Sequence, residues 1–240
     1  MNILRELWDA AIYFLFQPTC PLCRELVDER YQFCPACEKK ILRVDFAPSS
    51  SIPEPLNQVL RVTKYRDGSR PLLHKLKFDN NLSVLPPLKK ILDDMSTHKN
   101  ILRLLDGVNF AVPVPLHDNR LKERGFNQTE EIFIDWLIMR NIPLKNLLRR
   151  TRSTPKLYDL GKSERQQILS GAFEATEIVD LRGQIVLVVD DIYTTGTTVS
   201  ECAKVLKSLG AAQVRVLAFA ADFGEEFTKK NSRPRRENNA

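Results

Sequence analysis

Between residues 185 and 198 the chain reads Ile-Val-Leu-Val-Val-Asp-Asp-Ile-Tyr-Thr-Thr-Gly-Thr-Thr. Five aliphatic residues in succession do not suit a strand with one wet face. They mark a strand buried on both sides, as in a parallel sheet covered by helices. Such a strand needs parallel neighbours and helical crossovers, and the chain carries both patterns. Val59–Tyr65, Val108–Pro115, Leu147–Thr151 and Val214–Ala220 read as strands. Residues 69–78 and 84–96 read as helices, a long helix follows Pro115 through Met139, and another runs from about Thr197 to Leu209 before Gly210. This alternation argues for a twisted parallel sheet flanked by helices.

The same segment carries chemistry. The buried strand delivers Asp190 and Asp191 to its C-terminal edge, where open α/β sheets bind ligands. Thr194, Thr195, Gly196, Thr197 and Thr198 then form a small turn that opens directly into a helix. The free N–H groups and positive dipole end of that helix suit a phosphate, and Gly196 allows the backbone to approach closely. An acidic turn with a threonine cap would leave the crowded carboxylates unexplained. Beside a phosphate they suit vicinal ribose hydroxyls, Mg²⁺ or both. Neither GxxxxGK[ST] nor GxGxxG occurs.

Cys20-x-x-Cys23 and Cys34-x-x-Cys37 are two knuckles ten residues apart, each with proline after its first cysteine. Two such knuckles complete the tetrahedral sulfur cage that Zn²⁺ prefers, and four protein ligands leave no open position for catalysis. The expected metal is therefore structural. Cys202 reads as a small core hydrophobe.

Net charge is +6, from 36 Lys plus Arg against 30 Asp plus Glu, and 43% of the 240 residues are hydrophobic. That excludes a wholly disordered or fibrous chain. It permits an anionic ligand without choosing one. The apolar stretch Ala10–Phe16 is short, has Glu6 and Asp9 where a signal peptide wants positive charge, and reads as part of an amphipathic helix over 3–16. No stretch reaches the ~20 apolar residues of a membrane span, so a soluble, cytoplasmic protein without membrane insertion is expected. The expected organisation is an N-terminal helix and four-cysteine module over 1–46, a Pro/Ser-rich linker over 47–56, an α/β domain over 57–223 and a disordered polar tail over 224–240. Lys64–Gly68 and Lys75–Phe78 form a basic patch with aromatics that reads either as nucleic-acid steering or as ordinary surface. His117 reads as a structural histidine or a weak site candidate.

Residues Asp190 to Thr198 resemble the 5-phosphoribosyl 1-pyrophosphate (PRPP) signature of type I phosphoribosyltransferases. Val112-Pro113-Val114-Pro115-Leu116-His117, Arg120-Leu121 and Arg124-Gly125-Phe126-Asn127-Gln128, ordered between a zinc module and this loop, resemble the ComF family of competence-associated proteins. The resemblance covers roughly residues 15–222. It implies an α/β, type I phosphoribosyltransferase-like twisted parallel sheet flanked by helices, preceded by a small zinc-knuckle module. It also implies PRPP bound with Mg²⁺. Asp190 and Asp191 would then stand at the ribose hydroxyls as catalytic residues, and Thr194, Thr195, Gly196, Thr197 and Thr198 around the 5′-phosphate. Arg120, in the turn after Pro115, would meet the pyrophosphate, with Lys122 and Arg124 behind it. Residues 153–162 correspond to a loop that folds over substrate, leading to Ser163 as an N-cap followed by Glu164 and Arg165. Lys156 and Ile168 depart from the family pattern.

Family membership further implies a bacterial cytoplasmic part in DNA uptake during natural transformation. Single-stranded DNA and a competence helicase (ComFA-like) are the implied partners, with Lys122, Arg124, Arg149, Arg150 and Arg152 as nucleic-acid candidates. Three versions stay open: a phosphoribosyltransferase in nucleobase salvage, a non-catalytic DNA- and helicase-binding adaptor, and a sensor in which PRPP controls that binding.

Overall fold

The structure is a computed structural model that describes residues 17–152 and 168–223. The N-terminal helix expected over 3–16, the loop over 153–162 with Lys156, Ser163, Glu164 and Arg165, and the tail over 224–240 lie outside the described residues.

A five-stranded sheet organises the molecule. In chain order its strands are β1 (Leu42–Phe46), β2 (Gln58–Lys64), β3 (Phe110–Pro113), β6 (Ile185–Tyr193) and β7 (Gln213–Ala221), and their spatial order is β1-β2-β7-β6-β3. β2, β7, β6 and β3 run parallel, and β1 is antiparallel to β2 at the edge. β6 and β7 are buried almost throughout, as expected of strands covered on both faces. The mixed α/β class and the mostly parallel sheet agree with the sequence reading.

Alternation along β6 divides the core. Leu187 and Val189 face a layer built from α2 (Arg70–Phe78), α3 (Leu85–Asp94), α4 (Lys99–Leu105) and α6 (Gln128–Ile138), which contribute Leu73, Leu88, Ile101 and Phe133 among others. Val186 and Val188 face α7 (Thr197–Ser208) through Val199, Cys202 and Leu206. Each fully buried side chain of this size is worth ~1.5–3 kcal/mol. Trp136 also finds a partner for its indole, donating to Leu92 O at 2.9 Å, as a buried indole must.

Three expectations change. The long helix after Pro115 is two helices, α5 (Asp118–Arg124) and α6. Gly125 adopts φ 82° and closes α5 by donating to Leu121 O at 2.7 Å, and Asn127 opens α6 by accepting from Thr129 N at 3.1 Å. A glycine C-terminus followed by an asparagine N-cap is a full stop and restart. The strand near residue 148, β4 (Leu148–Arg150), pairs antiparallel with β5 (Phe173–Ala175) in a separate two-stranded sheet. Contact with the main sheet runs instead through residues 143–145, where Ala111 N meets Pro143 O and Lys145 N meets Ala111 O, both at 2.8 Å. Finally, β6 does not end at Val189 but continues through Tyr193. β1, β5 and α4 were not anticipated.

The cysteine region packs into the same core as the sheet: Cys20, Phe33, Cys34, Cys37 and Ile41 join the α2–α4 cluster. α1 (Pro35–Ile41) begins immediately after Cys34 and leads straight into β1. No described helix is long and apolar enough to cross a membrane.

One consequence of this topology places the site. After β3 the chain turns to α6 on one face, whereas after β6 it turns to α7 on the other. The crossovers part between these adjacent strands and leave a crevice at their C-terminal ends, where doubly wound sheets receive ligands. The β3–β6 ladder stops at Pro113–Val189, with one further bond from Val114 N to Val189 O at 3.0 Å. From Asp190 onward β6 is paired only with β7, so its β3-side edge is open.

Candidate functional site

The phosphate-type loop is built as its residue types demand. Gly196 holds φ 77° at the N-terminus of α7, and a Cβ there would lie 2.5 Å from Tyr193 Oη and 2.9 Å from Pro53 Cγ. No side chain caps α7, unlike α5 and α6, whose N-termini are closed by His117 Nδ1 and Asn127 Oδ1. The first-turn amides of α7 therefore face outward with the positive end of the helix dipole. Thr195 and Thr197 share a hydroxyl hydrogen bond of 2.9 Å. Asp190, Tyr193, Thr194, Gly196, Thr197 and Thr198 line a small solvent-open cleft.

Because β6 continues past them, Asp190 and Asp191 lie on opposite faces of the sheet. Both are nearly buried, at 8% and 3% exposure. Asp190 Oδ1 accepts from Asp191 N at 2.9 Å. Burial, and then the negative charge of Asp191, push the Asp190 carboxyl well above the ordinary carboxylate range. Asp191 Oδ2 is fully enclosed and receives no hydrogen bond. Lys77 Nζ lies 2.8 Å from it, but off the hydrogen-bond direction, so the contact is an ion pair only. A buried carboxylate oxygen without a hydrogen-bond donor suits a hard cation or a sugar hydroxyl.

Cations surround this pair unequally. Arg150 is half-buried, stacks on Phe173 at 5.6 Å and has its guanidinium pKa lowered, chiefly by burial. It feels the charges of Arg120 and Asp190, and the bridge between Arg150 and His117 sets β4 beside the turn after β3. Arg120 is half-buried, with Glu123 Oε2 at 3.6 Å. Arg124 turns inward: its guanidinium donates to Gln128 Oε1 and, at 2.8 Å, to Lys77 O. Arg149 pairs with Glu174 at 3.0 Å on the surface, Arg152 donates to Ser170 O at 3.3 Å, and Lys122 is exposed. The structure thus gathers Arg120, Arg124 and Arg150 about the carboxylates and leaves Lys122, Arg149 and Arg152 outside. His117 is a helix cap, accepting from Asn119 N at 3.2 Å.

Sequence reasoning missed several positioning groups. Lys77 was read only as part of a basic patch. Asn127 both caps α6 and donates to Val114 O at 3.1 Å, fixing the chain after β3. Glu201, buried on α7, accepts from Gly171 N at 3.0 Å and pairs with Lys204 at 2.5 Å. Its signal was weak, a lone acid one turn into an amphipathic helix.

Away from the crevice, the sulfurs of Cys20, Cys23, Cys34 and Cys37 all lie within 4.8 Å of one another, and none is in a disulfide. Cys23 and Cys34 Sγ are 3.5 Å apart. A tetrahedral zinc with ~2.3 Å bonds needs sulfurs about 3.8 Å apart, so the cluster fits with small adjustment. Burial opposes ionisation of Cys20, but backbone N–H groups of Cys23, Cys34 and Leu22 outweigh it and bring its pKa to about 7. Burial pushes Cys37 upward. One acidic thiol beside reluctant ones is what a cage of like charges yields before a cation compensates it.

The phosphoribosyl transferase domain family matches residues 147–238, the segment that contains β6, the threonine loop and α7. The class this defines is an α/β fold with a mostly parallel sheet, a match to a phosphoribosyl transferase domain in its C-terminal part, and a four-cysteine cluster before it. Among curated proteins, DNA utilization protein YhgH of Escherichia coli O6:H1 is 28% identical over 82% of this chain and 87% of its own length. Competence protein F of Haemophilus influenzae is 28% identical over 85% and 84%, and competence protein ComFC of Bacillus subtilis 29% over 80% and 73%. This chain is thus similar along most of its length to ComF-type proteins, and its C-terminal part matches a phosphoribosyl transferase domain. Among solved structures, adenine phosphoribosyltransferase of Saccharomyces cerevisiae aligns over 82% of this chain and 90% of its own, at 14% identity and TM-score 0.40. Glutamine PRPP amidotransferase of B. subtilis aligns over 56% of this chain but only 26% of its own, at 19% identity and TM-score 0.35.

Proposed function

We propose that the crevice between β3 and β6 binds PRPP together with Mg²⁺, that the four cysteines hold a structural zinc, and that the protein serves DNA handling in the cytoplasm during natural transformation. The observation that carries the ligand reading is the uncapped N-terminus of α7 beside two buried carboxylates at the parting of the crossovers. Outward amides and a dipole end receive a phosphate without a resident cation. Thr194, Thr195, Thr197 and Thr198 add hydroxyl donors, and Gly196 leaves room for the backbone to close on it.

Asp190 and Asp191 would hold the ribose hydroxyls and the Mg²⁺, whose chemistry is to neutralise pyrophosphate charge. Arg120, with Arg150 behind it, would orient the pyrophosphate group. If transfer occurs, displacement at ribose C1 gains from a clamped leaving group and from fixed charges around an oxocarbenium-like state. The names of the relatives, "DNA utilization" and "competence", support work on DNA. Exposed Lys122, Arg149 and Arg152 supply cations for a strand of phosphates, which favours a second, non-catalytic reading in which single-stranded DNA and a helicase partner bind here.

A panel of nucleobases with PRPP, Mg²⁺ and a pyrophosphate assay separates the two readings. Base-dependent pyrophosphate release supports transfer. PRPP-induced thermal stabilisation without turnover, accompanied by DNA binding that weakens with salt, supports the binding role. Absence of any thermal shift with PRPP and Mg²⁺ rejects the ligand assignment itself.

A further inference from the structure

Lys77 occupies the last turn of α2, where the carbonyl end of a helix favours a cation. Its ammonium is 2.8 Å from Asp191 Oδ2, and its side chain is 21% exposed against 4% for the aspartate. The lysine is thus the more exposed member of a mostly buried pair. Its backbone is fixed as well, since Arg124 Nη2 donates to Lys77 O at 2.8 Å. The ammonium is not spent on a directed hydrogen bond to Asp191 Oδ2, which leaves that oxygen paired in charge but not in geometry.

We propose that Lys77 is a counter-ion plug on Asp191: its ammonium holds the place a divalent cation would take, and an anionic ligand that draws the ammonium to itself opens the carboxylate to metal. The proposal rests on the PRPP and Mg²⁺ reading of the crevice and assigns Lys77 the coupling between its two ligands. An ammonium and a divalent cation repel at one carboxylate, so metal alone binds poorly. A ligand carrying several phosphate charges gains the ammonium and vacates Asp191 in one movement. Metal and anion then bind with positive coupling, and by linkage each tightens the other equally. Lys77 is accordingly a binding and positioning residue.

The test replaces Lys77→Gln, whose amide still donates over the buried carboxylate and so protects the fold, and Lys77→Arg, which keeps the charge. Mn²⁺ affinity without any anion is read by electron paramagnetic resonance, and PRPP affinity in metal-free buffer by calorimetry. In Lys77→Gln, Mn²⁺ affinity should rise about tenfold, within the usual range of couplings, while metal-free PRPP affinity falls. Lys77→Arg should retain the weak Mn²⁺ affinity of the wild type. The opposite signs are the signature, because a merely structural ion pair would not tighten metal binding. Unchanged or weaker Mn²⁺ binding in folded Lys77→Gln overturns the proposal, as does Mn²⁺ binding by Lys77→Arg as tight as that of Lys77→Gln. If Lys77→Gln does not fold, wild type alone decides: Mn²⁺ affinity must rise when ribose 5-phosphate carrying a 1-pyrophosphate group is present beyond what that ligand chelates in free solution, and equality overturns it. Wild-type protein that binds no PRPP would reject the ligand reading, while the Mn²⁺ comparison still judges Lys77.

Discussion

Replacing Gly196 by alanine probes the phosphate-type loop with one methyl group. The backbone there has φ 77°, and the left-handed region costs a residue with a Cβ ~1–2 kcal/mol. The added carbon would sit 2.5 Å from Tyr193 Oη and 2.9 Å from both Tyr193 Cζ and Pro53 Cγ. Tyr193 is 5% exposed and its ring meets Phe223 edge-on at 5.9 Å, so it has little room to retreat. Overpacking of this kind costs ~1–3 kcal/mol. The two effects together amount to about 2–5 kcal/mol, or a fall of about 4–20 °C in Tm for a chain of this size. Gly183→Ala is the control, because Gly183 has nearly the same φ, 76°, and nothing within 4 Å of the added carbon. It should lose only the backbone part. Thermal and urea unfolding of both variants measures the difference, which is the contact cost alone. Equal losses would refute the close packing of Tyr193 and Pro53 on the loop.

Two further perturbations follow from named groups. Asp190→Asn should raise Tm at neutral pH, because a carboxyl whose pKa is raised in the folded state stabilises the fold only while protonated. That contribution is complete below the ordinary carboxylate range near pH 4 and is lost as pH rises through the folded pKa. The advantage of asparagine should therefore shrink as pH falls toward 4, and a gain that is flat with pH would contradict the burial argument. Purified protein should carry about one zinc per chain by elemental analysis. Cys34→Ser should lose that zinc and unfold at lower temperature, because Cys34 and Cys37 lie in the core shared with the sheet. A metal-free wild type would contradict the cage.

What the sequence revealed was local, and what it hid was long-range. The strand from Ile185, the threonine turn and the cysteine spacing each fit within a few residues, so the α/β class and the cysteine cluster were legible. Gly125 and Asn127 also carried their stop and start signals, but the apolar rhythm of α6 spoke across them and merged two helices into one. The extent of β6 was underestimated because its apolar run stops at Val189, ahead of the two aspartates. Continued alternation through Ile192 and Tyr193 was the clue that these carboxylates sit on opposite faces. Arg124 read as a cation behind the pyrophosphate and a nucleic-acid candidate, since nothing local shows that Gln128 and the Lys77 carbonyl would hold it. Lys77 could not be matched to Asp191 by any spacing rule, because only the packing of α2 on the sheet brings them together.

Calorimetric titration of PRPP into wild-type protein and into the Asp190→Ala/Asp191→Ala double variant, each with and without Mg²⁺, tests the central claim most directly. The account predicts saturable binding by wild type that tightens with Mg²⁺, and loss of most of that affinity in a double variant that remains folded. Equal affinity in the two proteins, or no binding by wild type, would contradict it.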